Sequence, residues 1–199
     1  MKKHHLSGPG LIGIQIFKAW PCGILVIFII GAIYLSVPTP ALPDLRDSGR
    51  SDEEGDTWQN PDQKGFYSDL TRAEVLSDIQ SKSLIKFFSW TIPPYRLNYP
   101  PEEAFPLVRD QTKSNYLEEI IYPMRNSTFV NGWEPKKAPI NVNLDPEDIP
   151  EISLHGVFYD AKITLRPVNS AIWARLLIWT LIFPSTYLVL LSLKKSIEM

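Results

Sequence analysis

The chain has 199 residues, and its 22 acidic and 20 basic side chains leave a formal net charge of only −2. This balance excludes the surplus of lysine and arginine with which nucleic-acid-binding domains neutralise phosphates. The one cysteine, Cys22, excludes an internal disulfide, and the sequence contains no zinc-ligand spacing, nucleotide-binding loop or hydrolase motif.

Two apolar segments without charged side chains lie near the two ends of the chain, at residues 19–37 and 176–193. Each approaches the ~20 residues that an α-helix needs to cross a hydrocarbon core of ~30 Å. The sequence therefore predicts a membrane protein in which two transmembrane α-helices, at 19–37 and 171–193, flank a small α+β extracytoplasmic domain. A basic start before an apolar run is also typical of a cleaved signal peptide. We favour an uncleaved signal anchor, because no small-residue cleavage motif follows Val37.

Charge is distributed unevenly between the middle and the ends of the chain. Residues 38–170 hold 21 acidic and 14 basic side chains, a net charge of −7, whereas the remaining residues hold 1 acidic and 6 basic, a net charge of +5. Positive charge beside a span resists translocation, so the tails at 1–18 and 194–199 are predicted in the cytoplasm and the middle domain outside. The outer domain can form no disulfide, which favours a bacterial envelope or an organelle over an animal cell surface, and the expected location is the plasma (inner) membrane.

Composition divides the middle of the chain into a linker and a domain. Residues 38–65 combine prolines with an acidic run, which predicts an extended, partly disordered linker with almost no burial. Residues 66–170 show the apolar periodicity of an α+β domain that is large enough for one core. Fifteen of the 18 prolines lie within 38–170, and this predicts short elements and ordered loops.

The first predicted element of the domain is a helix at residues 72–88. Thr71 and Glu74 have the spacing of a capping box, which marks a helix N-terminus. The apolar spacing shifts phase near Ser83, so a break at that point stays open. We expect the late part to pack in the core, with attachment to the membrane surface as the alternative. This late part combines aromatic and basic residues, namely Lys82, Lys86, Phe87, Phe88 and Trp90.

A strand and a second helix are predicted next in the chain. Residues 95–99 alternate between apolar or aromatic and polar side chains, which is typical of a strand. Apolar residues at helical spacing then indicate a helix at 107–121. The Tyr122-Pro123 step should end this helix, because proline disfavours the helical conformation of the residue before it.

The remainder of the domain is predicted to be β-structure. The Asn131-Gly132 pair lies between apolar runs and predicts a hairpin turn. Two further strands are expected at 140–144 and 157–166, and the second has the clearest alternation in the chain. We expect the α+β domain to be followed almost directly by the second transmembrane helix.

The leading functional interpretation is a non-enzymatic subunit or scaffold of a membrane complex, whose outer domain binds another protein. The predicted partners are the lipid bilayer and a membrane protein or a second copy of the chain, with no nucleic acid. Phe129 and Trp133, near the predicted hairpin turn, are the candidate contact residues, because aromatic side chains are enriched in interface cores. Packing of Trp133 inside the domain is the alternative.

An enzyme acting on a lipid-linked or envelope substrate is the weaker alternative. Its site would require polar groups within hydrogen-bond reach of one another, whereas the sequence distributes them over different predicted elements. The sequence therefore predicts no catalytic residue, no cofactor and no metal site. The few polar residues that such an enzyme would have to use are Arg109, Asp110, Glu118 and His155.

The layout of the chain also resembles that of polysaccharide co-polymerases, which have two spans, cytoplasmic tails and an outer domain. Pro167 and Pro184 correspond to the proline-marked segment that this family has before its last span, whereas a glycine-rich last span is absent here. The resemblance implies an accessory role in envelope polysaccharide export or polymerisation as an alternative function.

Overall fold

The computed structural model describes residues 10–100, 114–137, 141 and 143–197. Its contacts divide the chain into two compact units. One unit comprises Met1–Val37 together with Ala171–Met199, and the other comprises Pro38–Ser170. Within the described ranges, the α-helices are α1 (Gly10–Ser36), α2 (Arg72–Lys82) and α3 (Ile172–Ile197).

Helices α1 and α3 form the first unit. Helix α3 has 26 residues and is long and apolar enough to cross a membrane. Within α1, the apolar stretch found among the described residues is shorter and comprises Gly23–Ser36. The structure therefore supports one helix that could span a membrane and a shorter apolar stretch within α1, and a pair of spans remains a prediction.

The contact between α1 and α3 is built around a glycine and a tryptophan. A Cβ atom added at Gly31 would lie 2.5 Å from Cε2 of the Trp179 indole, so only glycine admits this ring. The indole N–H donates a hydrogen bond of 3.0 Å to the carbonyl of Phe28. Phe183 contacts both aromatic neighbours edge-on, with centroid distances of 5.2 Å to Phe28 and to Trp179. A small residue that lets two helices approach closely is typical of packing between apolar helices.

The second unit is an α+β domain built on an antiparallel sheet of six strands, in the order β1-β2-β10-β7-β6-β5. Two further hairpins, β3–β4 and β8–β9, lie outside this sheet. The strands in the described residues are β1 (Ser48–Arg50), β2 (Lys64–Ser68), β3 (Ile85–Phe87), β4 (Trp90–Ile92), β5 (Tyr95–Tyr99), β6 (Tyr116–Ile121), β7 (Ser127–Trp133), β8 (Ile152–Leu154), β9 (Val157–Tyr159) and β10 (Ala161–Val168).

Helix α2 and one face of the six-stranded sheet form the hydrophobic core. The alternation of β10 places Ala161, Ile163 and Leu165 on that face, where all three are buried. The core residues are Leu45, Phe66, Val75, Leu76, Ile79, Tyr116, Ile120, Val130, Ala161, Ile163 and Leu165. The predicted α+β class of the domain is thereby confirmed.

The predicted start of α2 is confirmed, but its predicted length is wrong. The Thr71 hydroxyl accepts a hydrogen bond from the Glu74 amide, and the Glu74 carboxylate accepts one from the Thr71 amide. The helix ends at Lys82, where the Ser83 amide and hydroxyl donate to carbonyls of the last turn. The following apolar residues pair across the β3–β4 hairpin, and this pairing overrides their helical spacing.

The predicted helix at 107–121 is wrong in the part that the structure describes, and its residues 107–113 lie outside the described ranges. Residues Tyr116–Ile121 form β6, which pairs with β5 on one side and β7 on the other. The predicted strand at 95–99 is confirmed as β5. Ladder pairing on both sides of β6 outweighs a local helical pattern, because it satisfies the backbone and buries four of the six side chains of the strand.

The predicted hairpin turn at Asn131-Gly132 is also wrong. Both residues lie inside β7, and the Tyr116 ring packs over Gly132 in the space that a Cβ would occupy. The turn between β6 and β7 is formed instead by residues 122–126, with Met124 at φ +56° and the Tyr122 amide donating to the Asn126 carbonyl at 2.9 Å. Asn-Gly therefore marks a close ring–backbone contact in this chain.

The interpretation of residues 38–65 as an unburied linker is wrong. These residues contribute β1, the first residues of β2 and a 3-10 turn at Glu54–Asp56. Leu45 belongs to the core, and Ser51 and Asp56 are buried. The acidic composition of this segment was misleading, because a half-buried lysine of β10, Lys162, forms ion pairs with Glu53 and Asp56.

The structure differs from the prediction at each of the last two predicted strands. In the predicted strand at 140–144, residues 140 and 142 lie outside the described residues, and the Leu144 amide donates to the Asn141 carbonyl at 3.1 Å in a turn. The predicted strand at 157–166 exists, but Asp160 divides it into β9 and β10, which pair with different strands.

Candidate functional site

A cluster of charged groups lies where β10, β2 and the 3-10 turn at Glu54–Asp56 meet. Lys162 forms ion pairs with Glu53 and with Asp56, the latter at 2.8 Å. The Tyr67 hydroxyl donates to Glu53 at 2.5 Å, and the Ser51 hydroxyl donates to Asp56 at 2.7 Å. Lys162 and Asp56 are thus both ion-paired and hydrogen-bonded within the cluster. These contacts link the N-terminal segment of the domain to β10, a central strand of the sheet.

A glycine in β2 makes room for this cluster. A Cβ atom added at Gly65 would lie 2.5 Å from Oδ2 of Asp56 and 2.8 Å from Cβ of Ser51. The carboxylate therefore approaches the backbone at a position that only glycine permits.

Ionisation of the cluster follows from these contacts. Hydrogen bonds from Lys162 and Tyr67 hold the pKa of Glu53 below its ordinary value. Burial opposes the charge of Asp56, but hydrogen bonds from Lys162 and Ser51 outweigh it and lower the pKa of this carboxyl. Burial likewise opposes the charge of Lys162, yet hydrogen bonds to both carboxylates raise its pKa above the ordinary value. The cluster is therefore fully charged at neutral pH.

We expect the cluster to stabilise the domain over a defined range of pH. The two carboxyl groups have lowered pKa values, so their contribution is present above their ordinary pKa values and is lost as the pH falls through the folded-state values. Lys162 has a raised pKa, so its contribution is present below pH 10.5 and is lost at higher pH. Urea unfolding should show a wild-type advantage over Lys162→Met from roughly pH 5 to pH 10 that declines as the pH falls below the ordinary pKa values of the two carboxyl groups. Lys136→Met is the matched control, because its ion pair with Asp160 is exposed and should leave the pH profile unchanged.

A second ionic cluster lies on the face of the sheet that α2 covers. Glu118 of β6 is only 1 % exposed, and its Oε1 accepts hydrogen bonds from Nε of Arg72, at 3.1 Å, and from the Nη2 of the same guanidinium. Arg96 of β5 lies 3.6 Å from the other carboxylate oxygen. The Arg72 guanidinium also stacks on the Tyr116 ring and donates to Asn98 at 2.8 Å. These contacts give Glu118 a structural role between α2 and the edge of the sheet.

The structure describes two of the four candidate catalytic residues, Glu118 and His155, and it does not bring these two together. Arg109 and Asp110 lie outside the described residues. Glu118 is enclosed by its arginines on β6, while His155 is exposed at the tip of the β8–β9 hairpin and lies 2.8 Å from Asp52. Asp52 follows β1 at the opposite edge of the sheet, four strands from β6, which is about 19 Å at the usual strand spacing. Among the described residues, no three or more histidine, cysteine or acidic side chains form a group that could hold a metal ion.

The candidate contact residues Phe129 and Trp133 lie in a strand and not at a hairpin tip. Both are half-buried in β7, and Phe129 packs against Tyr99 with 5.9 Å between ring centroids. The predicted position of these two residues at a hairpin tip is therefore wrong, and their role as contacts of a partner remains a prediction.

A groove of about 260 Å³ lies beside the β8–β9 hairpin. Its apolar lining consists of Pro135, Pro146, Ile149, Pro150, Ile152, Phe158 and Tyr159. The exposed ion pair between Lys136 and Asp160, at 2.6 Å, stands at this groove. Phe158 is 63 % exposed beside it, and an apolar groove with a few polar groups is typical of a binding site. The sequence signal that could have identified the site is the His155-Gly156 turn with an aromatic residue two positions later.

The β3–β4 hairpin presents a further exposed surface that differs from the sequence prediction. Phe88 is 77 % exposed and Trp90 is 74 % exposed, so the expected core packing of these two residues is wrong. The hairpin turns at Phe88, and its two strands pair with each other and not with the six-stranded sheet.

Compared with protein-family models, curated proteins and solved structures, the chain shows no match.

Proposed function

We propose that this chain is a non-enzymatic, two-pass subunit or scaffold of a membrane complex, with both termini in the cytoplasm and the α+β domain outside. In this arrangement α1 and α3 cross the membrane as a pair, and the domain binds another protein. The uneven charge supports the orientation, because the basic residues at both ends resist translocation.

The observation that carries the membrane part of the proposal is the contact between α1 and α3. The Trp179 indole occupies the space left by Gly31 and donates its N–H to the Phe28 carbonyl. In hydrocarbon, small residues and interhelical hydrogen bonds are what hold two apolar helices together. The exposed residues of α1 at 23–36, where burial is described, and those along α3 are predominantly apolar, as expected for surfaces that face lipid.

The binding part of the proposal is supported by how the domain uses its polar groups. Lys162 and Glu118 form ion pairs within the fold, so their charges are compensated by neighbouring side chains of the domain itself. The groove beside the β8–β9 hairpin offers an apolar floor, and the Lys136–Asp160 pair is placed to orient a peptide backbone. The occupant that fits this chemistry is an extended segment of a partner protein that inserts an apolar side chain.

Photo-crosslinking from the groove tests this proposal. Benzoylphenylalanine at Phe158 of the full chain, irradiated in intact cells, should yield an adduct with another envelope protein, identified by mass spectrometry after purification in detergent. We expect about fivefold more adduct than from the same group at Trp58, because binding concentrates on a few central residues. Trp58 is the matched control, since it is an aromatic residue of the same domain with 68 % exposure.

The outcomes of this experiment discriminate between the candidate functions. Equal labelling from Phe158 and Trp58, or none from either, would contradict a partner at the groove. An adduct between two copies of the chain, together with a ring-shaped oligomer in detergent, would instead favour the accessory role in polysaccharide export or polymerisation.

A further inference from the structure

The β3–β4 hairpin has one apolar and one polar face. Its cross-strand pairs join Ile85 to Ile92 and Phe87 to Trp90, and residues that pair directly lie on the same face. The side chains of the apolar face are Ile85, Phe87, Trp90 and Ile92. Lys86 pairs with Thr91 and lies on the opposite face. The hairpin is therefore amphipathic along its whole length.

Burial changes steeply from the base of this hairpin to its tip. Ile85 is buried at the base, directly after the end of α2. Phe88 and Trp90 are exposed at the tip, and the rings of Phe87 and Phe88 contact each other edge-on at 4.7 Å. Phe88 has φ +53°, a left-handed conformation that is uncommon for a bulky residue. The fold thus holds an aromatic residue at a turn position where glycine or asparagine is preferred.

The segment of sequence that contains the hairpin has a charge opposite to that of the domain as a whole. No acidic residue occurs at positions 79–101, although residues 38–170 carry a net charge of −7. Lys86 is exposed, and it forms no ion pair with any residue that the structure describes. An exposed cation beside exposed aromatic rings favours a surface that is both anionic and partly apolar.

We infer that the tip of this hairpin inserts Phe88 and Trp90 into the headgroup layer of an anionic bilayer. Indole and phenyl rings favour the membrane–water interface, and lysine is attracted to anionic headgroups there. The inference rests on the proposed membrane attachment, since only three residues separate the end of β10 from the start of α3. The hairpin would then be a second, peripheral membrane contact of the domain, separate from the groove at β8–β9.

Depth measurements on the full chain in nanodiscs test this inference. A nitroxide is attached at Ser89→Cys in a Cys22→Ser background, in bilayers with about 30 % phosphatidylglycerol, enough to give the anionic surface potential that attracts lysine. We expect collisions with a water-soluble nickel reagent to be about fivefold rarer at this position than at Ser153→Cys on β8, because the interface excludes the reagent. Phe88→Ser combined with Trp90→Ser should abolish the difference. Lys86→Glu should reduce it in anionic bilayers and leave it unchanged in purely zwitterionic ones.

A third label separates failure of this inference from failure of membrane attachment. A nitroxide at Leu188→Cys, on an exposed position of α3, should be shielded from the nickel reagent in every variant. Shielding at Leu188 with full access at Ser89 would overturn the hairpin inference and leave the membrane attachment intact. Full access at both positions would contradict the proposed attachment as well.

Discussion

Replacement of Arg72 by methionine should lower the free energy of unfolding of the domain by about 2 kcal/mol. Methionine keeps an apolar stem against the Tyr116 ring, but it removes the charge that balances the buried Glu118 carboxylate. Removing one partner of a fully buried pair costs about 3–5 kcal/mol, and the value here is lower because Arg72 is partly exposed and Arg96 remains 3.6 Å away. Urea unfolding of the full chain in detergent, followed by near-ultraviolet circular dichroism, measures this change.

Two further variants separate the uncompensated charge from general damage to the core. Tyr116→Phe alters the same neighbourhood and should cost little, because in the described residues the Tyr116 hydroxyl is buried without a hydrogen-bond partner. The double variant Arg72→Met, Glu118→Met should recover most of the lost stability, since it removes the buried carboxylate together with its main partner. A double variant that is as unstable as Arg72→Met would show that the loss comes from packing and not from charge.

Replacement of Gly31 by leucine should separate α1 from α3. Any Cβ at this position overlaps the Trp179 indole, which also loses its hydrogen bond to the Phe28 carbonyl when the helices move apart. The measurement uses cysteines at Phe28 and Phe183 in a Cys22→Ser background, joined by a short bismaleimide, because these rings lie 5.2 Å apart. We expect intramolecular crosslinking, read from the intact mass, to fall about tenfold, since close approach at a small residue is what holds such helices together.

Gly23→Leu provides the matched control for this prediction. A Cβ atom added at Gly23 meets no atom within 4 Å, so leucine is accommodated there without moving either helix. Crosslinking in the Gly23→Leu variant should equal that of the parent. Equal crosslinking in the Gly31→Leu variant would show that the helix pair does not depend on the close contact at Trp179.

Some sequence patterns have a local cause, and these predicted the start of α2 and two of the strands correctly. The capping box at Thr71 and Glu74 acts within one helical turn, and the structure forms both of its hydrogen bonds. The strand at Tyr95–Tyr99 and the alternation of β10 also follow from the two-residue period of a pleated strand. These features required no knowledge of which segments meet in space.

Predictions were wrong where the conformation of a segment depends on residues far away in the sequence. Residues Tyr116–Ile121 have apolar spacing compatible with a helix, but β5 and β7 pair with them on both sides. The acidic segment before β2 is ordered because Lys162, from the last strand of the sheet, compensates Glu53 and Asp56. Composition alone assigns this segment to solvent, since it carries no information about the position of a remote cation.

The sequence by itself determined the apolar helices at the two ends, the basic tails, the acidic middle and the α+β class of the domain. These properties follow from hydropathy, charge and short-range periodicity, which are additive along the chain. Only the tertiary structure decided that β6 is a strand, that Gly31 receives the Trp179 indole and that Phe88 and Trp90 face solvent. Each of these outcomes depends on backbone pairing or side-chain packing between residues far apart in sequence, and a local pattern does not encode which distant surface is present.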